Sequence, residues 1–421
     1  MNTKQKGRSI TLLAPFYLPE TNAAAKRAGA LVKSLAAAGW TVRVITQVPH
    51  YPQGQIYQGF SGKRSVTSDD RVTVIRLCPW IIKRNKLVLR LLAEWRYLIK
   101  ALWEFVRCPG DVLYATSPYM FNGLGALLCG RLWRKKIIWE VRDLTWLYIS
   151  ALKMDRFGLS GFLERVMLYT ASRVDRLITT TEGQGGYFTS KTKVRKLVVL
   201  PNGVDRETLE MMQSIPEAPR HEFTVLYAGL IGYPQGLSVL VAAAALLPTV
   251  RFLVLGDGAE KVELQKDAAR RGLQNIVFTG YLPFARVAGY YRAADVLYAQ
   301  LRKSPVFSLT QPSKVWEYMA AGKPVIYGGE GEGAEVVQIS RAGLVVSPDD
   351  VDALVCAIRY LQDNPQESLQ MGENGRGYIL RNRIREALLQ NIVSEIDDLD
   401  KGINLERRAG VWALLPRSKP D

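Results

Sequence analysis

Histidine is nearly missing from this chain: His50 and His221 are the two among 421 residues. Chemistry that relies on histidine as a general acid, a general base or a metal ligand is therefore poorly served. Cysteine is almost as scarce. Cys78, Cys108, Cys129 and Cys356 lie far apart without C-x-x-C spacing, which excludes a disulfide framework or zinc knuckle and predicts buried thiols in a reducing compartment. Long apolar runs are lacking too. Residues 112–130 and 223–250 come nearest, but Gly, Pro and polar residues interrupt both, so each predicts strand, turn and helix rather than a membrane span. The opening MNTKQKGRSI has no secretory apolar core, which predicts a cytoplasmic chain.

Acidic residues are short in one half only. Residues 1–210 hold 33 Lys and Arg against 15 Asp and Glu, whereas residues 211–421 hold 23 against 24, so the net charge of +17 resides in the first half. Such asymmetry implies an anionic partner for that half: membrane phospholipid, a pyrophosphate-linked substrate or nucleic acid. A solvated basic surface with no specific partner is the bland alternative.

What is present is a repeated alternation of short β-rich runs, Gly, Pro or Ser breaks, and helix-forming stretches. This predicts parallel sheets covered by helices. Candidate strands begin at Ser9, Thr41, Val72, Asp111, Lys136, Asp175 and Leu197, then at Thr224, Val250, Ile276, Val296, Pro324 and Leu344. At this length two α/β domains are expected, each Rossmann-like, with the proline-rich segment 203–221 as linker. The expected division is 1–215, 216–400 and a tail 401–421, with the helix Ile384 to Leu399 packing back across the groove.

Open parallel sheets bind ligands at the carboxyl ends of their strands. In the second half, Tyr227-Ala-Gly-Leu-Ile-Gly-Tyr-Pro-Gln-Gly236 follows a strand, and its glycines suit close approach of backbone N–H groups to a phosphate, or simply a tight turn. Leu255-Gly-Asp-Gly258, with Gly256 and Asp257, ends the next strand similarly; Asp257 either meets a ligand or caps a helix. The most informative segment is Gln311-Pro-Ser-Lys-Val-Trp-Glu-Tyr-Met-Ala-Ala-Gly-Lys-Pro-Val-Ile326.

That segment resembles the glutamate-containing helix of family 4 glycosyltransferases, in which a pattern near E-A-M-A-x-G-x-P-V-V sets a glutamate on the donor ribose. Glu317 holds that position. Leu200-Pro-Asn-Gly-Val-Asp205, Phe278-Thr-Gly-Tyr-Leu-Pro283, Tyr291-Arg-Ala-Ala-Asp-Val296 and Pro19-Glu-Thr-Asn-Ala-Ala-Ala-Lys-Arg27 resemble the family in the same order. The resemblance covers residues 10 to 395. It implies a GT-B fold: an acceptor-binding first domain, a nucleotide-sugar-binding second domain and catalysis in the cleft, with retention of anomeric configuration and no metal.

On this reading Glu317 accepts hydrogen bonds from the ribose hydroxyls. The departing diphosphate gathers negative charge, so cations and N–H groups aimed at it carry the catalysis. Lys314, Lys303 and Arg27 are the candidate cations, with Gly229 and Gly232 for backbone contact; each lysine is otherwise an ordinary surface charge. Family members typically carry an arginine after the residue matching Gly229, a lysine before that matching Gly236, and a second glutamate eight residues before Glu317. Here those places hold Leu230, Gln235 and Leu309. Such a pattern resembles the branch that builds capsule, O-antigen and colanic-type polysaccharides.

In the first half, Arg142 and Asp143 leave a strand where relatives carry His-Asp, so they either face the reacting centre or form a structural ion pair. His50 sits on a loop on the acceptor side, or is incidental there. Between Trp80 and Arg107, seven basic residues join Trp80, Trp95, Tyr97 and Trp103 along a leucine-rich helical stripe; this suits an anionic membrane surface, or equally a sheet-covering helix. Asp350-Val-Asp352 has the D-x-D of metal-dependent transferases, but it opens a helix, where acids favour the dipole. The partners the resemblance implies are a nucleotide-sugar with UDP as its nucleotide, a lipid-linked saccharide acceptor and the inner face of the membrane, with no nucleic acid and no cofactor. An inactive transferase-like partner and a nucleotide-sugar 2-epimerase are the alternatives.

Overall fold

The computed structural model describes residues 8–51, 54–81, 87–151, 158–215 and 222–401. Two sheets organise it. The first runs through β1 (Ser9–Leu13), α1 (Ala23–Ala37), β2 (Thr41–Gln47), β3 (Ser65–Asp69), β4 (Val72–Leu77), α2 (Leu87–Arg107), β5 (Val112–Thr116), α3 (Asn122–Leu132) and β6 (Lys136–Val141). It continues with α4 (Thr145–Ala151), α5 (Leu159–Arg173), β7 (Arg176–Thr179), α6 (Glu182–Lys191) and β8 (Leu197–Val199). The strand order is β3-β4-β2-β1-β5-β6-β7-β8, parallel throughout except for β3.

After α7 (Arg206–Ser214) the second sheet contains β9 (Thr224–Ala228), α8 (Ser238–Leu246), β10 (Arg251–Leu255), α9 (Lys261–Arg270), β11 (Ile276–Gly280), α10 (Phe284–Ala293) and β12 (Val296–Gln300). Then follow α11 (Ser313–Ala320), β13 (Val325–Gly328), α12 (Glu332–Ile339), β14 (Gly343–Val346), α13 (Val351–Asp363), α14 (Pro365–Asn382) and α15 (Arg385–Asp400). Its order, β11-β10-β9-β12-β13-β14, reverses direction at β9 and β12. That reversal opens a crevice at the carboxyl ends of those two strands, where such sheets take their ligands.

Central strands are buried on both faces, as in β5 and β12, where every residue is inaccessible. The expected strands are therefore all present. β3 is the addition: its Ser-Val-Thr-Ser-Asp is mostly exposed and pairs antiparallel to β4 at the sheet edge, so no apolar alternation marked it.

Two expectations need correction. Leu209 and Met212 of α7 pack in the core of the second unit, so the chain crosses between units around Leu200–Val204, ahead of residue 215. Cys78, Cys108 and Cys356 are exposed thiols, because they lie at strand or helix ends and on an outer helix face. Helix α15 returns to the first unit. Leu389, Ile392, Val393, Ile396 and Leu399 pack with α1 and β1 residues in the first core. Residues 216–221 of the expected linker, and the tail from 402, lie outside the described residues.

Candidate active site

Beneath the crevice of the second sheet lies a layer of tyrosines. Tyr227, Tyr298, Tyr318 and Tyr327 are fully buried. Tyr227 Oη donates to Leu230 O at 2.5 Å, Tyr298 Oη to Gln300 Oε1 at 2.5 Å, and Tyr318 Oη accepts from Ala228 N at 2.8 Å. These bonds shape the loop after β9 from below.

Gly229 and Gly232 do not offer free amides there. Gly229 N donates to Leu255 O at 2.9 Å, extending the strand ladder, and Gly232 N donates to Gln235 Oε1 at 3.2 Å. The need for glycine is steric. At Gly256, φ is +132° and an added Cβ would stand 1.9 Å from Gly229 O, so the two loops touch through their backbones. Gly229 itself, at φ +138°, leaves room for the Lys314 ammonium. Gln235, which stands in place of the family lysine, is thus a tie within the loop. Asp257 is exposed and pairs with Lys261 at 3.5 Å, while its Oδ1 accepts from Gly258 N.

Lys314 and Glu317 lie on successive turns of α11. Lys314 Nζ donates to Tyr227 Oη and sits 3.7 Å from the centre of its ring. Burial lowers the Lys314 pKa to about 7, with Glu317 opposing the shift. Glu317 accepts from Tyr291 Oη at 3.1 Å. Burial raises its pKa, against the pull of Lys26, Tyr291, Arg385 and Lys314. Its carboxylate faces a cavity between the units lined by Thr21, Lys26, Asn202, Asp205, Ser313 and Arg385. Arg385 grips both carboxylate oxygens of Asp205 at 2.8 Å and donates to Gly203 O at 2.6 Å. Lys303 lies apart, highly exposed and paired with Glu330 at 3.0 Å.

From the first unit, Arg142 and Asp143 follow β6 into the cleft. Burial raises the Asp143 pKa, opposed by Arg142 and by Tyr148, whose hydroxyl donates to it at 3.4 Å. Burial also lowers the pKa of Arg142, whose Nε is buried without a hydrogen-bond partner. Arg27 is placed differently from expectation. Its guanidinium is buried, bonded to Glu140 at 2.7 Å, to Leu200 O at 2.9 Å and to Pro201 O at 3.2 Å, so its donors are committed within the first unit. Lys26, one residue earlier, takes the cleft position instead. His50 is half-buried on the loop after β2, with Nδ1 2.9 Å from Val48 O and 3.9 Å from Glu20.

The units also touch directly. Thr181 Oγ1 donates to Leu309 O at 2.8 Å, Gly183 N donates to Glu332, and Lys26 Nζ lies 3.8 Å from the Phe284 ring centre. Leu309, standing where relatives carry a glutamate, packs against the first core. The Glu317 cavity has a volume of about 30 Å³, enough for a water molecule.

Residues 22–203 match the family model described as Glycosyl transferase 4-like domain, and residues 222–364 match Glycosyl transferases group 1. This chain is a family 4 glycosyltransferase of the GT-B fold. The transferase is 25% identical over 405 residues to the putative colanic acid biosynthesis glycosyl transferase WcaI of Escherichia coli K12, covering 90% of this chain and 97% of that one. Its fold matches the sucrose-phosphate synthase of Thermosynechococcus elongatus with a TM-score of 0.76 at 20% identity, covering 94% and 100% of the two chains. It also matches Anabaena HepE in complex with UDP and glucose, with a TM-score of 0.65 at 17% identity over 93% and 99%.

Lys26, Tyr227 and Arg385 of the transferase escaped sequence reasoning. The only available signal for Lys26 was its place in the Pro19–Arg27 segment; Arg385 reaches the cleft solely because α15 doubles back. Asp350 acts as the N-cap of α13, accepting from Ala353 N at 2.9 Å. Among the described residues no cluster of potential metal ligands occurs, and no helix is long and apolar enough to cross a membrane.

Proposed function

We propose that this glycosyltransferase moves a sugar from a UDP-sugar to a lipid-linked saccharide acceptor at an anionic membrane surface, with retention, in polysaccharide biosynthesis. The observation that carries the reading is the Glu317 carboxylate, turned into the cleft among Lys26 and Arg385, one turn from the Lys314 ammonium at the strand-order reversal. Glu317 takes the ribose hydroxyls as a paired acceptor. Lys314 faces the diphosphate, where a cation held in place before the reaction stabilises the charge that develops on departure. Arg142 and Asp143 approach the sugar from the opposite wall. UDP is favoured by the fold shared with a protein solved with UDP and glucose, and a polysaccharide product by the likeness to WcaI.

The membrane contact rests on α2. Tyr97, Leu98, Ala101 and Phe105 face the first core, while Leu92, Trp95, Ile99 and Trp103 are exposed on the other side. Beside them an apolar groove of about 780 Å³ runs along Leu77, Ile99, Leu102, Trp103 and Val106, bordered by Lys100, Arg107 and the Arg64–Glu104 ion pair. An apolar stripe flanked by cations suits an interface of anionic lipid. The basic residues Lys83, Arg84 and Lys86 lie outside the described residues.

Calorimetric titration with UDP, GDP and ADP tests the reading. Micromolar binding of UDP, lost on Glu317→Gln, supports it; binding of no nucleotide points to an inactive transferase-like partner, and unaltered binding by Glu317→Gln removes the ribose assignment.

A further inference from the structure

Two phosphate-binding side chains usual in the family are replaced here, and the Lys314 ammonium beside the β9 loop is anchored by a residue the sequence did not single out. Resting on the reading of Lys314 as a diphosphate ligand, we propose that Tyr227 is the positioning residue that makes Lys314 serve in place of the missing clamp. Its hydroxyl holds the ammonium from below and the loop from within.

The geometry is a relay. Lys314 Nζ donates to Tyr227 Oη, and Tyr227 Oη donates to Leu230 O at 2.5 Å. One hydroxyl thereby ties the first turn of α11 to the loop after β9. The ring lies under the ammonium with its centroid 3.7 Å away, a cation–π contact that offsets part of the lost hydration. Tyr227 is fully buried, so its side chain has no freedom to follow the lysine elsewhere. The ammonium stands 2.8 Å from where a Cβ at Gly229 would be, over the backbone turn that the crevice presents to a ligand. Gln235 carries no charge to offer a diphosphate, and its oxygen holds the loop by accepting from Gly232 N.

This arrangement links donor binding to a proton. Tyr227 faces the ammonium from β9 and Glu317 from its own helix; beyond Glu317 stand Lys26 of α1, Tyr291 of α10 and Arg385 of α15. Burial leaves Lys314 close to half-protonated near neutrality in the empty site. An arriving diphosphate favours the charged form, so its binding draws a proton, and affinity falls as pH rises above about 7.

UDP binding is measured calorimetrically from about pH 6 to about pH 9, in buffers of differing ionisation enthalpy. The proteins are the wild type, Lys314→Met, Tyr227→Phe and the double variant. The expected result is uptake of about one proton per UDP at about pH 8 in the wild type and almost none in Lys314→Met. Tyr227→Phe weakens UDP about tenfold and moves the descending limb to lower pH, yet changes nothing further in the Lys314→Met background, as coupled residues should. Equal losses in both backgrounds, or an unmoved limb in Tyr227→Phe, overturn the positioning role. Wild-type affinity in Lys314→Met overturns the underlying reading of Lys314 instead. A second measurement needs no Tyr227 variant: acylation of Lys314 in the wild type is expected to titrate near neutrality and to be blocked by UDP. Labelling unaffected by UDP counts against the reading of Lys314 as a diphosphate ligand.

Discussion

Arg27 and Glu140 meet at 2.7 Å in the interior of the first unit, with each side chain 4% exposed. Burial works to raise the Glu140 pKa, but Arg27, Arg142 and Thr116 hold it below the usual carboxylate range. Breaking such a pair strands a buried charge, so Arg27→Ala is expected to destabilise the first unit by about 3–5 kcal/mol. Urea unfolding measures this. A direct donor ligand would show the reverse pattern, weak UDP binding with stability unchanged.

Glu94 of α2 accepts from Met120 N at 3.1 Å, and burial pushes its pKa up to about 7, opposed by that N–H and by Arg90. Between its unfolded value of 4.5 and about 7, the folded state binds more protons, so stability falls as pH rises through that window. Glu94→Gln, which keeps an acceptor for Met120 N, should raise the melting temperature at about pH 8 and leave it unchanged at about pH 4. A uniform shift at both pH values contradicts the assignment.

Lys314 has the opposite sign. Its folded pKa of about 7 lies below the unfolded 10.5, so the unfolded chain binds more protons between them and stability rises with pH across that window. The burden of burying the ammonium is fully present below about pH 7. Lys314→Met is therefore expected to melt higher than the wild type at neutral pH, with the gain shrinking towards about pH 10, even as it loses UDP affinity. Thermal melts at the two pH values decide it.

Ile99 and Trp103 are 65% and 60% exposed on α2, outside either core. Replacing both by serine should leave thermal stability within about 0.5 kcal/mol of the wild type, as for other surface substitutions. Co-sedimentation with vesicles containing anionic phospholipid should drop by about tenfold or more, following the loss of buried apolar area. Binding that survives both substitutions assigns the membrane contact to another surface.

Local pattern was enough for most of the architecture. Strands such as Val112–Thr116 and Val296–Gln300 are continuous apolar runs because both faces are covered, and their spacing from helical stretches implied two parallel sheets. The edge strand β3 left no such trace, since Val66 is itself exposed and nothing in its alternation had to be apolar. The reach of α7 into the second core was also illegible, because an amphipathic face does not say which neighbouring core it serves.

For the site, the sequence alone determined which helix carries Glu317 and Lys314 and where the glycine turns fall, because helix and turn chemistry act over a few residues. Tertiary structure decided everything that depends on distant residues. It committed Arg27 to Glu140, brought Lys26 and Arg385 to Glu317, and turned Leu309 into packing between the units. It also set Tyr227 beneath Lys314, 87 residues away in the chain. Burial and charge pairing arise only when such partners converge, so the protonation of Lys314 is a property of the fold and not of its flanking sequence.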